Sequence, residues 1–170
     1  MAVAELVSAE QYLHTSFEHD AEFVEGRIVE RPVPTWEHAF LQTFLVRELW
    51  ATDRRLQCFT VTEQRVQTQP GRFRVPDVCV VSEKPGGPTG RRIVTRPPHL
   101  CVEILSPEDA PVETAEKVKE YLDFGVEWVW VIDPASLSGQ VHSRTSVAKV
   151  ENKIFSTDWF SVDLSGVEFC

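Results

Sequence analysis

The seven residues His99–Leu105, HLCVEIL, constrain this chain more than any other stretch. Their near-continuous apolarity predicts a strand buried on both faces, and such a strand needs a covering layer on each side. Glu103 nevertheless sits in its middle. Alternate residues of a strand share a face, so Cys101, Glu103 and Leu105 point one way and Val102 and Ile104 the other. A lone carboxylate in that setting costs several kcal/mol unless it is neutralised, paired or bound to metal. The run Arg74–Val81, RVPDVCVV, poses the same difficulty through Asp77. Pro76 cannot donate to a ladder, so this strand must start, bulge or lie on an edge there, and such a break lets a side chain aim into a cleft.

The rest of the chain supplies the covering layers. Ser8 followed by Gln11 is a capping-box start for a short helix through Tyr12 and Leu13. EFVEGRIVERP reads as a hairpin turning at Gly26 and stopped by Pro32 and Pro34. Thr35 then caps a helix running to about Asp53, with Leu41, Phe44, Leu45 and Leu49 at three- and four-residue steps. Alternating β-branched residues predict a strand over Gln57–Gln67, followed by the turn PGR and the strand FRVPDVCVV. EKPGGPTGRR is an irregular loop. After HLCVEIL, a helix is expected over about Pro111–Phe124 with Gly125 as its C-cap, and then the strand EWVWVIDP. GQVHSRTSVAKVEN reads as an edge strand or hairpin, and the piece beyond it to Cys170 has no clear period.

The central order is therefore helix, three strands, helix, strand. A helix between two strands favours parallel pairing and short turns favour antiparallel neighbours. The expected fold class is α/β, a mixed β-sheet flanked by helices. At 170 residues the chain is expected to form a single domain. It divides into an N-terminal helix and hairpin (1–34), a core (35–134) and C-terminal strands (135–170).

Two carboxylates converging from neighbouring strands, with room for water and a backbone carbonyl, make a Mg2+ or Mn2+ site, because these hard ions take oxygen ligands and keep several waters. With phosphate present, such an ion polarises the phosphoryl oxygen and activates water. A nearby lysine orients the nucleophile or stabilises developing charge. Lys117 lies beside Tyr121 and Phe124 on a helical wheel, and Lys119 beside Val112 and Ala115. Both border the apolar face, and periodicity does not choose between them. The ordinary alternatives are a turn role for Asp77 and a buried arginine pair for Glu103.

Net charge restricts the partners. A formal charge of −9 argues against a protein that coats nucleic acid by bulk attraction, although Arg54, Arg55, Arg72, Arg74, Arg91, Arg92 and Arg96 gather positive charge mid-chain. No apolar run approaches a membrane span. The N-terminus lacks the basic region and long apolar core of a secretory signal. Cys58, Cys79, Cys101 and Cys170 include no CxxC pair and read mainly as small buried hydrophobes. A reducing cytoplasm is the expected setting.

VPDVCVV, PPHLCVEILSP and EKVKEYLDFGVEWVWVIDP together resemble the Uma-type family of proposed restriction endonucleases, long filed as a domain of unknown function within the PD-(D/E)XK nuclease superfamily. EFVEGRIV and PTWEHAFLQTFLVREL resemble its first hairpin and first long helix. The resemblance implies a restriction-endonuclease-like αβββαβ core, in agreement with the order above. It implies a Mg2+- or Mn2+-dependent endonuclease acting on DNA. Asp77 takes the acidic slot of the PD half-motif and Glu103 the second acidic slot, while Leu105 stands where the usual lysine would be. The resemblance moves that lysine to the following helix, as Lys117 ahead of Tyr121. Asp77, Glu103 and the Ile104 carbonyl would hold the metal. Glu22 matches a recurrent acid that serves as a further metal or water ligand. His38 matches a histidine that contacts phosphate or assists proton transfer. Glu113 matches an acid one turn before Lys117, with an i,i+4 pair as its ordinary explanation. SPEDAPVE departs from the Ser/Thr-rich loop more usual after SP. Many nucleases of the superfamily pair to address both strands, so a homodimer is expected. The rival reading is a catalytically inactive nuclease-fold protein that binds nucleic acid or a protein partner.

Overall fold

The computed structural model describes residues 6–17, 20–56, 58–84 and 93–169. The side chains of Arg54 and Arg55, together with Arg91, Arg92 and Cys170, lie outside the described residues. Helix α1 (Ala9–His14) starts at the expected capping box: the Gln11 amide donates to Ser8 Oγ at 3.1 Å and the Ser8 amide to Gln11 Oε1 at 2.7 Å. Strands β1 (Glu22–Val24) and β2 (Arg27–Val29) form the hairpin. It turns at Glu25 and Gly26, both at positive φ. Thr35 opens α2 (Trp36–Leu56), its hydroxyl accepting from the His38 amide at 3.3 Å. The helix runs three residues past the expected end. Leu41, Leu45 and Leu49 are fully buried, each worth about 1.5–3 kcal/mol of apolar burial.

The next segment departs from expectation. The strand expected over Gln57–Gln67 is broken into β3 (Phe59–Thr62) and β4 (Val66–Gln69), with Glu63 at a φ of 49° between them. The returning segment is likewise two strands, β5 (Arg72–Arg74) and β6 (Val78–Val81), separated by Val75, Pro76 and Asp77. Strand β3 pairs with β6 and β4 with β5. One long hairpin thus bends at its middle and passes from one sheet into another. The missing N–H of Pro76 is what a ladder cannot absorb, so the bend falls there.

Strand β7 (Leu100–Ile104) lies antiparallel to β6. Helix α3 (Pro111–Phe124) has the predicted bounds and ends at Gly125, whose φ of 117° gives the left-handed C-cap. Strand β8 (Trp128–Asp133) then pairs parallel with β7. Strands β9 (Ser138–His142) and β10 (Val147–Val150) form the edge hairpin. The unassigned C-terminal piece is a small hairpin, β11 (Ile154–Ser156) and β12 (Ser161–Asp163). The larger sheet has the order β10-β9-β8-β7-β6-β3 and the smaller one β2-β1-β5-β4. The αβββαβ order survives as α2, β3, β6, β7, α3 and β8, with β4 and β5 as the extension of the bent hairpin.

The larger sheet is covered on both faces, as β7 required. On one face Val80, Val102, Trp130 and Ile132 pack with the leucines of α2 and with Phe155 and Val162 of the terminal hairpin. On the other, Cys79, Cys101, Val129 and Val131 meet Val118 and Tyr121 of α3. A separate aromatic cluster of Tyr12, Phe23 and Phe73 ties α1 to the smaller sheet. Cys58, Cys79 and Cys101 are buried and form no disulfide with one another. No helix among the described residues is long and apolar enough to cross a membrane.

Candidate active site

Where the hairpin bends away, the end of the β6–β7 ladder is left open. Val78 pairs with Val102, so Asp77 emerges at the end of that ladder beside Glu103 and Ile104. Asp77 Oδ2 accepts from the Ile104 amide at 2.7 Å. Its Oδ1 takes the Arg31 guanidinium and lies 3.2 Å from His38 Nε2. Burial works against the Asp77 charge, but the hydrogen bond from His38, the Arg31 charge and the Ile104 amide hold its carboxyl below the usual range. The other ring nitrogen of His38, Nδ1, lies 3.3 Å from Ser106 Oγ. Ser106 is itself fixed by its amide donating to Asp109 Oδ2 at 2.7 Å.

Glu103 is handled differently. It is 7% exposed, and its Oε1 accepts from the Tyr121 hydroxyl at 2.7 Å. Lys117 Nζ lies 3.7 Å from its Oε2 and 3.2 Å from Glu22 Oε1. Burial pushes the Glu103 carboxyl up to about 7; Lys117 opposes this, the charges of Asp77 and Glu22 add to it, and the Tyr121 hydrogen bond lowers it. Burial would discharge Lys117, yet Glu103 and Glu22 keep its ammonium above the ordinary lysine range.

Glu22, from the start of β1, is 1% exposed and bridges Lys117 to Arg74 of β5, whose Nη1 donates to Glu22 Oε2 at 2.7 Å. Arg74 grips Glu120 with Nε and Nη2, both at 2.7 Å, and Arg72 reaches the same carboxylate and Glu25. Helix α3 therefore presents Lys117, Glu120 and Tyr121 on one face, at the i, i+3 and i+4 spacing that keeps them together.

Glu22, Arg31, His38, Arg74, Asp77, Glu103 and Lys117 line a cleft of about 1110 Å³ that also includes Glu108, Asp109, Glu113 and Glu116. Glu113 stands on its wall, but the expected Glu113–Lys117 pair does not form, because Lys117 turns inward to Glu22 and Glu103. Lys119 is 76% exposed and pairs with Asp123 on the outer surface. Geometry thus separates the two lysines that periodicity left equal. The arginine pair anticipated as the alternative for Glu103 occurs instead at Asp77.

Four groups of this cluster had no place in the site expected from sequence. Arg31 lies between a hairpin and two prolines, with no spacing to mark it. Arg74 taken alone reads as a solvated arginine, and nothing in the sequence marks Glu120. Tyr121 carried a usable signal: a tyrosine on the buried face of a helix that covers a buried glutamate is a ready donor.

A hard divalent ion fits the donor chemistry only in part. Among the described residues, no three His, Cys, Asp or Glu side chains form a ready ligand set. Asp77 and Glu103 do offer oxygen donors from adjacent strands, and ions of this class complete their shells with water. The Glu103 carboxyl is raised chiefly by burial, with the charges of Asp77 and Glu22 adding to it, and the Arg31 guanidinium already stands against Asp77 as a cation.

A family model described as "Uma2: Putative restriction endonuclease" matches residues 9–166. The chain belongs to the Uma2 family. No curated protein matches it. The Uma2 fold seen here is similar to a crystal structure from Anabaena variabilis ATCC 29413, described as "a putative nuclease belonging to DUF820". That similarity has a TM-score of 0.76 over 89% of each chain at 20% identity, and it speaks to fold alone. The family match spans every element that contributes to the cleft, from β1 to α3.

Proposed function

We propose that this Uma2-family protein is a Mg2+- or Mn2+-dependent endonuclease that hydrolyses DNA phosphodiester bonds. The observation that carries the reading is the meeting of Asp77, Glu103 and Lys117 in one open cleft, from the break before β6, from β7 and from α3. Asp77 and Glu103, with the Ile104 carbonyl, would hold the ion. When bound, the ion supplies Lewis acidity at the phosphoryl oxygen and neutralises the leaving oxygen. Lys117 remains an ammonium, so it is not a base. It orients the attacking water and stabilises charge on the phosphate, with Glu22 fixing its direction. His38 restrains Asp77 and connects it to Ser106, a short path for a proton at the edge of the cleft. Glu113 belongs to the acidic wall, outside this exchange.

A homodimer would bring two such clefts to the two strands of a duplex. The buried thiols of Cys79 and Cys101 suit a reducing cytoplasm. Cleavage of plasmid DNA by purified protein tests the reading. Cleavage is expected with Mg2+ or Mn2+, to stop with chelator, and to fall at least about 100-fold in Asp77→Ala and Glu103→Ala. Equal cleavage by the variants would reject the assignment.

The acidity of the cleft favours a second reading. Glu108, Asp109, Glu113 and Glu116 repel a phosphate backbone, and Leu105 replaces the strand lysine. An inactive nuclease-fold protein that binds nucleic acid or a protein partner would cut nothing with any divalent ion and gain no thermal stability from Mn2+.

A further inference from the structure

The cation on Asp77 has a role of its own. We propose that Arg31 is the internal counter-ion of the divalent-cation site: it holds Asp77 while the ion is absent, yields it when the ion binds, and thereby sets the affinity for the ion. This rests on the metal-dependent reading above.

Three observations carry it. Arg31 occupies Asp77 Oδ1, with His38 Nε2 3.2 Å from the same oxygen, while Oδ2 is taken by the Ile104 amide, so the guanidinium stands on the oxygen a cation would use. Arg31 also stands within the field of the whole acidic group. Glu22, Glu63 and Glu103 line the same cleft as Asp77 and Arg31. A divalent ion coordinated at that oxygen would carry twice the charge of a guanidinium and stand within a few ångströms of Arg31, so their repulsion sets the two in competition for Asp77.

The third observation is how Arg31 is held. Lys117, Arg74 and Arg31 each meet two carboxylates, and the first two do so from a packed helix and a packed strand. Arg31 belongs to the strap between β2 and α2, whose neighbours Glu30, Pro32, Val33 and Pro34 are exposed. The prolines stiffen the strap backbone, which leaves the side chain as the moving part. Glu63 Oε1, 3.9 Å from Arg31 Nη1 and on an exposed side chain, already pairs with the guanidinium at the rim and keeps a carboxylate beside it when Asp77 is released. A bound phosphate would offer another.

Mn2+ binding to the metal-free full-length chain, read by the electron paramagnetic resonance of free Mn2+, tests this without any appeal to cleavage. Arg31→Gln is expected to bind Mn2+ about tenfold more tightly than the parent protein, since a charge-assisted pair no longer has to be broken. Arg31→Lys keeps the charge without the planar fork and should show a smaller gain in the same direction; it decides the matter if Arg31→Gln does not fold. Asp77→Asn should abolish binding. If both Arg31 variants bind no tighter than the parent while Asp77→Asn still abolishes binding, Arg31 is no competitor and the inference fails with the metal site intact. If parent and Arg31 variants alike bind no Mn2+, the metal-dependent reading fails and takes the inference with it.

Discussion

Two neighbouring positions on the same pair of strands meet burial in opposite ways. Cys79 and Cys101 are cross-strand partners, fully buried, free, and enclosed by apolar side chains. Burial pushes the Cys79 thiol up to about 12 and Cys101 well above its ordinary value, so both stay neutral. One alternation further on, Asp77 and Glu103 are nearly as buried, yet the surroundings supply Arg31, His38, Lys117, Tyr121 and a backbone amide. The difference lies in the chain path. The ladder closes over the cysteines, while the bend at Pro76 opens it just where the acids begin. Room for partners, rather than exposure itself, makes the charged pair tolerable.

Placing a charge at the closed position should produce the largest effect. Cys101→Asp has no cation within the apolar cluster and is expected to lose more than about 4 kcal/mol or fail to fold, as measured by urea unfolding. Tolerance of this change would mean that the two positions are alike. Removing a cation at the open position comes next. Arg74→Ala leaves Glu22 to Lys117 and Glu120 to Arg72, and the lost charge-assisted hydrogen bonds should cost about 1–3 kcal/mol in the same measurement.

The raised pKa of Glu103 gives the comparison a pH signature. Its carboxyl moves from an ordinary 4.5 to about 7 on folding, so between these values the folded chain binds more protons than the unfolded one. Its contribution is complete below pH about 4.5 and is lost as pH rises through about 7, a fall of at most a few kcal/mol. Metal-free unfolding measured across this window should show that slope, and Glu103→Gln should flatten it. Mn2+ affinity should run the other way, rising with pH as Glu103 ionises. A smaller change is expected from Tyr121→Phe, which removes the 2.7 Å hydrogen bond, costs about 1 kcal/mol and moves the Glu103 titration higher by NMR. Smallest of all, Lys119→Ala should leave both melting temperature and Mn2+ binding unchanged, because that ammonium faces solvent.

The parts of this arrangement that local rules determine were legible in the sequence. The capping box at Ser8, the helix from Pro111 to Phe124 and the C-cap at Gly125 all follow from chemistry within a few residues. Pro76 marked the break in its strand. The matching break at Glu63 was not legible, because it arises from the pairing of β3 with β6 across the bend. The acids of the cleft could be singled out because a carboxylate in an apolar run is costly wherever the chain goes. Their partners could not, since Arg31 and Arg74 are ordinary until the fold brings them to a carboxylate. The choice between Lys117 and Lys119 likewise depends on where α3 sits over the sheet, which no helical wheel contains.

A crystal grown with Mn2+ and measured at the manganese absorption edge tests the central claim most directly. The account predicts an anomalous peak within coordination distance of both Asp77 and Glu103, with Arg31 withdrawn from Asp77. A map with no peak there, and with Arg31 still seated on Asp77 at saturating Mn2+, would contradict it.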